Sequence, residues 1–256
     1  MEPAIGHNKR VTDCSFKDLC LDAVDPQLIA TFWGKALGRE VRRMPDSGYR
    51  VGPSSSLAPF NADTDGIWVD PVAEPRSGKT RVHLDLRLPN NDPRSLISAG
   101  ADLISGPSEE RLWWVLADAE GNTFCAMPPP PDEYEMTAVG LPTAFALVVD
   151  CVEPASQAVW WAERTGGNVA TRAGTTAWWV ENARGFPFPY WVFTEVPEAK
   201  TVKNRMHWDV LLSGSDITPL LDAGAQLLRK PDDEIWWWVL ADPEGNEFCA
   251  FDPARP

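Results

Sequence analysis

Two short stretches carry the side chains best suited to chemistry. His83 and Asp85 lie two residues apart, and so do His207 and Asp209. In an extended strand that spacing places both side chains on one face. The stretch Val82 to Leu88 alternates cleanly, with His83, Asp85 and Arg87 on one side and Leu84, Leu86 and Leu88 on the other. A carboxylate beside an imidazole fixes its tautomer and raises its pKa toward neutral pH. Such a pair can act as a general base at a carbon next to a carbonyl. The same pair can instead satisfy buried hydrogen bonds, orient a ligand or anchor the Arg81 and Arg205 segments, and the residues alone leave these roles open. Cys125 and Cys249 each follow a Gly-Asn dipeptide. A buried cysteine usually serves as a small apolar residue; a thiolate ligand or nucleophile is the alternative. Gly121-Asn122 and Gly245-Asn246 read as tight turns rather than phosphate loops, and no Gly-rich nucleotide motif is present.

These residues sit inside an internal repeat, the first thing to seek in a chain of this length. The segments 113–126 and 237–250 differ at 2 of 14 positions, with an offset of 124. The same offset aligns Lys79, Arg81, His83, Asp85 and Gly100 with Lys203, Arg205, His207, Asp209 and Gly224. Further upstream the offset becomes 128, so that Asp22, Trp33 and Gly38 match Asp150, Trp161 and Gly166. The proline run Pro128 to Pro131 favours extended backbone and cannot continue a sheet ladder. It divides the chain into residues 14–130 and 131–256, after a polar tail at 1–13.

Each repeat reads as two βαβββ units, giving an α+β fold. In the first, Leu19 to Val24 is a strand and Asp25-Pro26 is a helix start, an N-cap followed by proline at the first helical position. Leu28, Ile29, Phe32, Trp33, Ala36 and Leu37 recur at helical spacing and Gly38 ends the helix. Strands follow near 49–51 and 67–72. The second unit begins at Val82, places a short helix between Asp92-Pro93 and Gly100, and ends with strands at 112–117 and 123–127.

The net charge of −14 and sequence pI of about 4.6 argue against phosphate-based nucleic-acid binding and against anionic membrane surfaces. The N-terminus has no apolar stretch of signal-peptide length. The five cysteines show no CxxC spacing, so reduced thiols and a cytoplasmic location are expected. Thirteen tryptophans exceed ordinary usage, and most are expected in the core. Adjacent tryptophans on a strand point to opposite faces, so some are expected to line a cavity or an interface.

The strand, the Asp-Pro helix carrying Phe-Trp and ending in Leu-Gly, the Asn-Arg-x-His-x-Asp stretch (204–209) and the Asp-Pro-Glu-Gly-Asn-x-Phe-Cys stretch (242–249) together resemble the glyoxalase-like branch of the vicinal oxygen chelate superfamily. The resemblance covers nearly the whole chain, twice. It implies four βαβββ modules forming two open glyoxalase-like barrels, each around a pocket, with the His-x-Asp face looking inward. It implies a monomer or homodimer, because fusion could replace the dimerisation of single-repeat relatives. Metal-dependent members carry ligands on the first and last strands of each module. The corresponding positions are Asp18, Asp70, His83 and Cys125 in repeat one, and Ala146, Thr194, His207 and Cys249 in repeat two. The cysteines and Ala146 depart from that pattern, so no metal or other cofactor is expected, with a mixed Asp18, Asp70, His83 and Cys125 set in repeat one as the alternative. The expected partner is a small, largely apolar or aromatic molecule. Asp18, Cys20, Arg87, Trp114, Cys125, Trp238 and Cys249 are the expected ligand contacts, with His83, Asp85, His207 and Asp209 as catalytic candidates. An isomerase or lyase using His83 or His207 as base is the alternative to simple binding, and a metal-dependent glyoxalase or dioxygenase is the third possibility. Asp18 and Cys20 have Ala146 and Val148 as their counterparts, which makes repeat one the expected seat of polar chemistry and repeat two the greasier partner.

Overall fold

The computed structural model describes residues 12–45, 48–53, 66–109, 111–130 and 140–255. Most of the expected N-terminal tail and Pro131 of the proline run lie outside these residues. Asp13 does not belong to a loose tail. Its carboxylate pairs with Arg164 at 2.6 Å and its carbonyl accepts from the Ser213 amide.

Four modules follow one another. The first runs β1 (Cys14–Ala23), α1 (Pro26–Leu37), β2 (Glu40–Arg43), β3 (Tyr49–Gly52) and β4 (Ile67–Pro71). The second runs β5 (Val82–Arg87), α2 (Arg94–Ala99), β6 (Asp102–Ser105), β7 (Trp114–Ala117) and β8 (Thr123–Met127). The third runs β9 (Thr143–Cys151), α3 (Pro154–Thr165), β10 (Asn168–Thr171), β11 (Trp178–Glu181) and β12 (Tyr190–Glu195). The fourth runs β13 (Met206–Leu212), α4 (Thr218–Asp222), β14 (Gln226–Arg229), β15 (Trp238–Ala241) and β16 (Glu247–Phe251). The first helix starts and stops as its sequence dictates. Asp25 accepts from the Leu28 amide at 3.0 Å, and Gly38 closes it in the left-handed region at φ 62°. Among the described residues no helix is long and apolar enough to cross a membrane.

The modules form two eight-stranded sheets, and each sheet draws on both repeats. Sheet one has the order β14-β15-β16-β13-β1-β4-β3-β2, and sheet two β10-β11-β12-β9-β5-β8-β7-β6. The first module therefore joins the fourth through the antiparallel pair β1–β13, and the second joins the third through β5–β9. The two central joints are fastened alike. Asp22 and Asp150 donate backbone amides to the carbonyls of Arg205 and Arg81, each at 2.7 Å. Lys203 pairs with Asp22, and Lys79 pairs with Asp150 at 2.6 Å. The Lys-x-Arg segments of the repeat thus clamp the opposite repeat.

Within each repeat a different device joins the two modules. Asp118 accepts from the backbone and side-chain nitrogens of Asn122, closing the turn between β7 and β8. Gly121 takes φ +80° in that turn, a conformation that favours glycine. The turn presents the Glu120 carboxylate to the amides of Val24 and Asp25, at the start of α1. Glu244 does the same for Val152 and Glu153 at the start of α3. A carboxylate is favoured there by the unpaired amides and the helix dipole.

One face of each sheet feeds a single hydrophobic core that includes Leu19, Leu21, Leu84, Leu86, Leu147, Val149, Trp208 and Val210. Trp161 of α3 is fully buried between Trp191 of sheet two and Trp208 of sheet one, with ring centroids at 4.7 and 5.1 Å. Because the sheets cross the repeat boundary, a chain cleaved by an engineered protease site within residues 131–139 is expected to elute as one particle in native size-exclusion chromatography. Two separated halves would contradict the cross-repeat pairing.

Candidate functional site

The His-x-Asp strands carry their polar residues on the face opposite the core. Those side chains are nevertheless largely buried: Asp18, Cys20, Asp85 and Asp209 are each no more than 7 % exposed. Each sheet must curl over this face. Strand register decides which side chains meet there.

In sheet one, Asp18 lies opposite Asp209 and Cys20 opposite His207. Cys249 of β16 is level with Asp209, and Trp68 and Asp70 of β4 are level with Cys20 and Asp22. A register shift between Phe16 and Asp18 adds one residue to β1. It brings Lys17 to the same site, where it pairs with Asp18 and lies 4.6 Å from the Phe251 ring centroid. Trp237 stacks on Phe251 at 5.3 Å.

In sheet two, His83 lies opposite Val148 and Asp85 opposite Ala146, with Cys125 level with Asp85. His83 Nε2 is 3.5 Å from Asp85 Oδ1 and 3.8 Å from Cys125 Sγ. A register shift here adds Phe145 to β9, and the Arg87 guanidinium sits 4.2 Å from its ring centroid. Arg87 also donates to the Pro128 carbonyl at 2.7 Å.

Several expected groupings do not form. Asp18 and Asp70 belong to sheet one, whereas His83 and Cys125 belong to sheet two. The mixed four-residue metal set of repeat one is therefore never assembled. The division into a polar repeat one and a greasy repeat two also gives way. Asp18 and Cys20 face His207 and Asp209 of the other repeat, while Ala146 and Val148 face Asp85 and His83. Trp114 and Trp238 leave the site altogether. They pair with Ala126 and Ala250, on the face opposite Cys125 and Cys249, and pack against the core. Trp114 donates its ring N–H to Asn91 at 3.0 Å.

The two histidines differ electrostatically. Burial opposes charge on His83, but Asp85 and Cys125 outweigh it and raise its pKa above the ordinary value. Burial also dominates at His207 and lowers its pKa, against the smaller opposing pull of Asp22. Asp209 is pushed up to about 7 by burial, with Lys17 countering and Asp18 adding to the rise. Asp70 is pushed up to about 6 by burial and the nearby Asp22 carboxylate.

The metal implied by the resemblance meets different donors in the two sheets. In sheet two, Ala146 offers no donor and Thr194 spends its hydroxyl on Asp150 at 2.9 Å, so the β9 and β12 positions supply no ligand, but His83, Asp85 and Cys125 offer an imidazole, a carboxylate and a thiol within 4.8 Å of one another. In sheet one, Cys20, His207 and Asp209 offer atoms within 4.8 Å of one another. The buried Oδ1 atoms of Asp18 and Asp209 have no hydrogen-bond partner. One thiol, one imidazole and one carboxylate form a donor set that zinc accepts, so sheet one fits a divalent ion.

The sequence matches the model of the glyoxalase-like domain twice, over residues 18–127 and 146–251. The chain therefore belongs to the glyoxalase-like family of the vicinal oxygen chelate superfamily. Solved structures agree on the fold. Glyoxalase I from Zea mays is similar with a TM-score of 0.59 at 12% identity, covering 93% of this chain and 92% of that one. A putative dioxygenase from Bacillus subtilis is similar with a TM-score of 0.60 at 12% identity, covering 94% and 86%. No curated protein sequence matches the chain.

The opposite shifts of the two histidines can be read directly. In a histidine NMR titration, His83 is expected to titrate above the ordinary value of about 6.5 and His207 below it. Equal midpoints would refute the difference. The Asp85 contribution has a definite sign. A histidine pKa raised on folding adds stability that is complete below the unfolded pKa and is lost as pH rises through the folded one. Asp85→Asn should therefore cost about 1–3 kcal/mol at pH 6 and distinctly less at pH 9, measured by denaturant unfolding.

Proposed function

We propose that the chain binds a small, largely apolar or aromatic molecule on the site face of sheet two, without a metal there. The observation that carries this reading is the contrast across β5–β9. His83, Asp85 and Cys125 converge within 4.8 Å, and the strand beside them supplies Ala146 and Val148. An apolar wall with a few convergent polar groups is what a small-molecule site requires. Arg87 over Phe145 supplies a cation and an aromatic surface on the same side. Both sheets are completed within one chain, so the reading needs only a monomer.

A second reading concerns sheet one. His207 is held neutral near pH 7 by burial, and a neutral imidazole can accept a proton. Of the two histidines it is therefore the better general base for an isomerase or lyase, whereas His83 is better suited to donate. Where a divalent ion binds instead, Cys20, His207 and Asp209 would hold it, His207 would no longer be free to act as a base, and the ion would polarise a carbonyl oxygen. Lys17, over Phe251, would orient an anionic group of the substrate.

The binding reading is tested by tryptophan-fluorescence quenching and calorimetry with a panel of aromatic carbonyl compounds and phenols. Val148→Trp, which fills the apolar wall, should weaken the best binder at least tenfold, on the order of 1.4 kcal/mol or more. Leu228→Ser, at an exposed position on β14, should leave it unchanged. Undiminished binding by Val148→Trp would remove sheet two as the site.

A further inference from the structure

We infer that the binding face of sheet two selects carboxylate anions with an aromatic or apolar body, and that Arg87 is the residue that selects them. The inference rests on the reading of sheet two as the binding face and gives its ligand a charge.

Arg87 shares the site face of β5 with His83 and Asp85 by strand alternation. The extra residue of β9 places Phe145 against its guanidinium, 4.2 Å from the ring centroid. The Pro128 carbonyl, just past β8, accepts from Nη1 at 2.7 Å. A ring on one face and a carbonyl at one edge thus hold the head in place. A guanidinium has five N–H donors, and Pro128 takes one of them. Among the described residues no carboxylate pairs with Arg87. Asp85, the acidic residue nearest to it along β5, is paired with His83 at 3.5 Å. Partnerless nitrogens sealed from solvent occur at Arg81 and Arg205 but not at Arg87, which is only half-buried. Its remaining edge is therefore open to a ligand.

Such an edge binds a carboxylate through two parallel N–H donors, and contact with a ring face leaves it clear. Because the head is already positioned, little side-chain freedom is lost on binding. The rest of the face suits the other end of the molecule. Ala146 and Val148 stand opposite Asp85 and His83, and Phe145 adjoins them. His83 lies four residues from Arg87, about 13 Å along an extended strand. That spacing has room for one aromatic ring on a short carboxylate arm.

Sheet one is an internal comparison. The repeat makes Leu211 the counterpart of Arg87, and Lys17 the counterpart of Phe145. The cation at that end of sheet one is Lys17, 4.6 Å from the Phe251 ring centroid, and it is paired with Asp18. An incoming anion there must displace Asp18 under the repulsion of Asp70 and Asp209, which lie on the same face. The net charge of −14 also repels anions at long range, so a preference for one needs a local cation. Arg87 supplies it in sheet two.

The test titrates the full-length chain by calorimetry at pH 7 with benzoate, phenylacetate and cinnamate, each beside its neutral amide. The members of a pair match in shape and differ in charge. At least one acid is expected to bind about tenfold or more tightly than its amide. Arg87→Gln should bring that ratio to about threefold or less. Arg87→Lys keeps the charge but loses the fork and should give an intermediate ratio. A general loss of structure weakens acid and amide alike and leaves the ratio unmoved. Circular dichroism checks that the variants fold, and the wild-type ratio stands alone if they do not. Amides that bind wild type as tightly as the acids overturn the inference, as does a preference that survives Arg87→Gln. If acids and amides bind equally and Val148→Trp weakens both, the anion inference alone fails. If the preference depends on Arg87 while Val148→Trp changes nothing, the anion inference stands and the apolar-wall reading fails. If no compound binds, both fail.

Discussion

Antiparallel pairing of β1 with β13 and of β5 with β9 is the constraint on which the remaining architecture depends. Every other strand adds outward from one of these central joints. The backbone hydrogen bonds of each joint, with their Lys and Arg clamps, hold opposite repeats together. The core follows from the same pairing, because it turns Leu19, Leu84, Leu147 and Trp208 toward a shared interior. So does the chemistry. A strand's alternation decides which face its histidine takes, but the partner strand decides what that histidine meets.

Much of the scaffold was legible in the residues. Asp25-Pro26 and Gly38 bracket α1, the alternation of Val82–Arg87 puts His83 and Asp85 on one face, and the Asp-x-Glu-Gly-Asn sequences form turns. The short outer strands β2, β6, β10 and β14 were not placed, since they lie at sheet edges with much exposed surface and little periodic signal. The pairing across repeats was not readable either. Internal similarity shows that segments are equivalent and says nothing about which copy pairs with which.

The site itself was half legible. His83, Asp85, Cys125, His207, Asp209 and Cys249 lie on the expected faces, because alternation within one strand is local. Lys17 and Phe145 were missed because an extra residue in β1 and in β9 breaks that alternation, which places Lys17 beside Asp18 rather than opposite it. Which of two adjacent tryptophans faces the site depends on strand parity, which the sequence around Trp114 and Trp238 does not fix. Their register against Ala126 and Ala250 sends them to the core and leaves Trp237 beside Phe251. The donors around each histidine also depend on the cross-repeat register, which brings Asp18 and Cys20 to His207 and Ala146 and Val148 to His83.

The reciprocal exchange of modules has a consequence for how the two sites can differ. In a symmetric pair of identical subunits, one substitution alters both copies of every site. Here the two joints are related by approximate twofold symmetry, but their residues are encoded separately. Each site can change its first-strand residues without touching the other: Asp18 and Cys20 serve one, and Ala146 and Val148 serve the other. Neither repeat can change freely by itself, however, because each supplies half of both sites. The unit free to specialise is the diagonal pair of modules rather than the repeat, which gives one chain a site face with Asp18 and Cys20 and another with Ala146 and Val148 on a shared core.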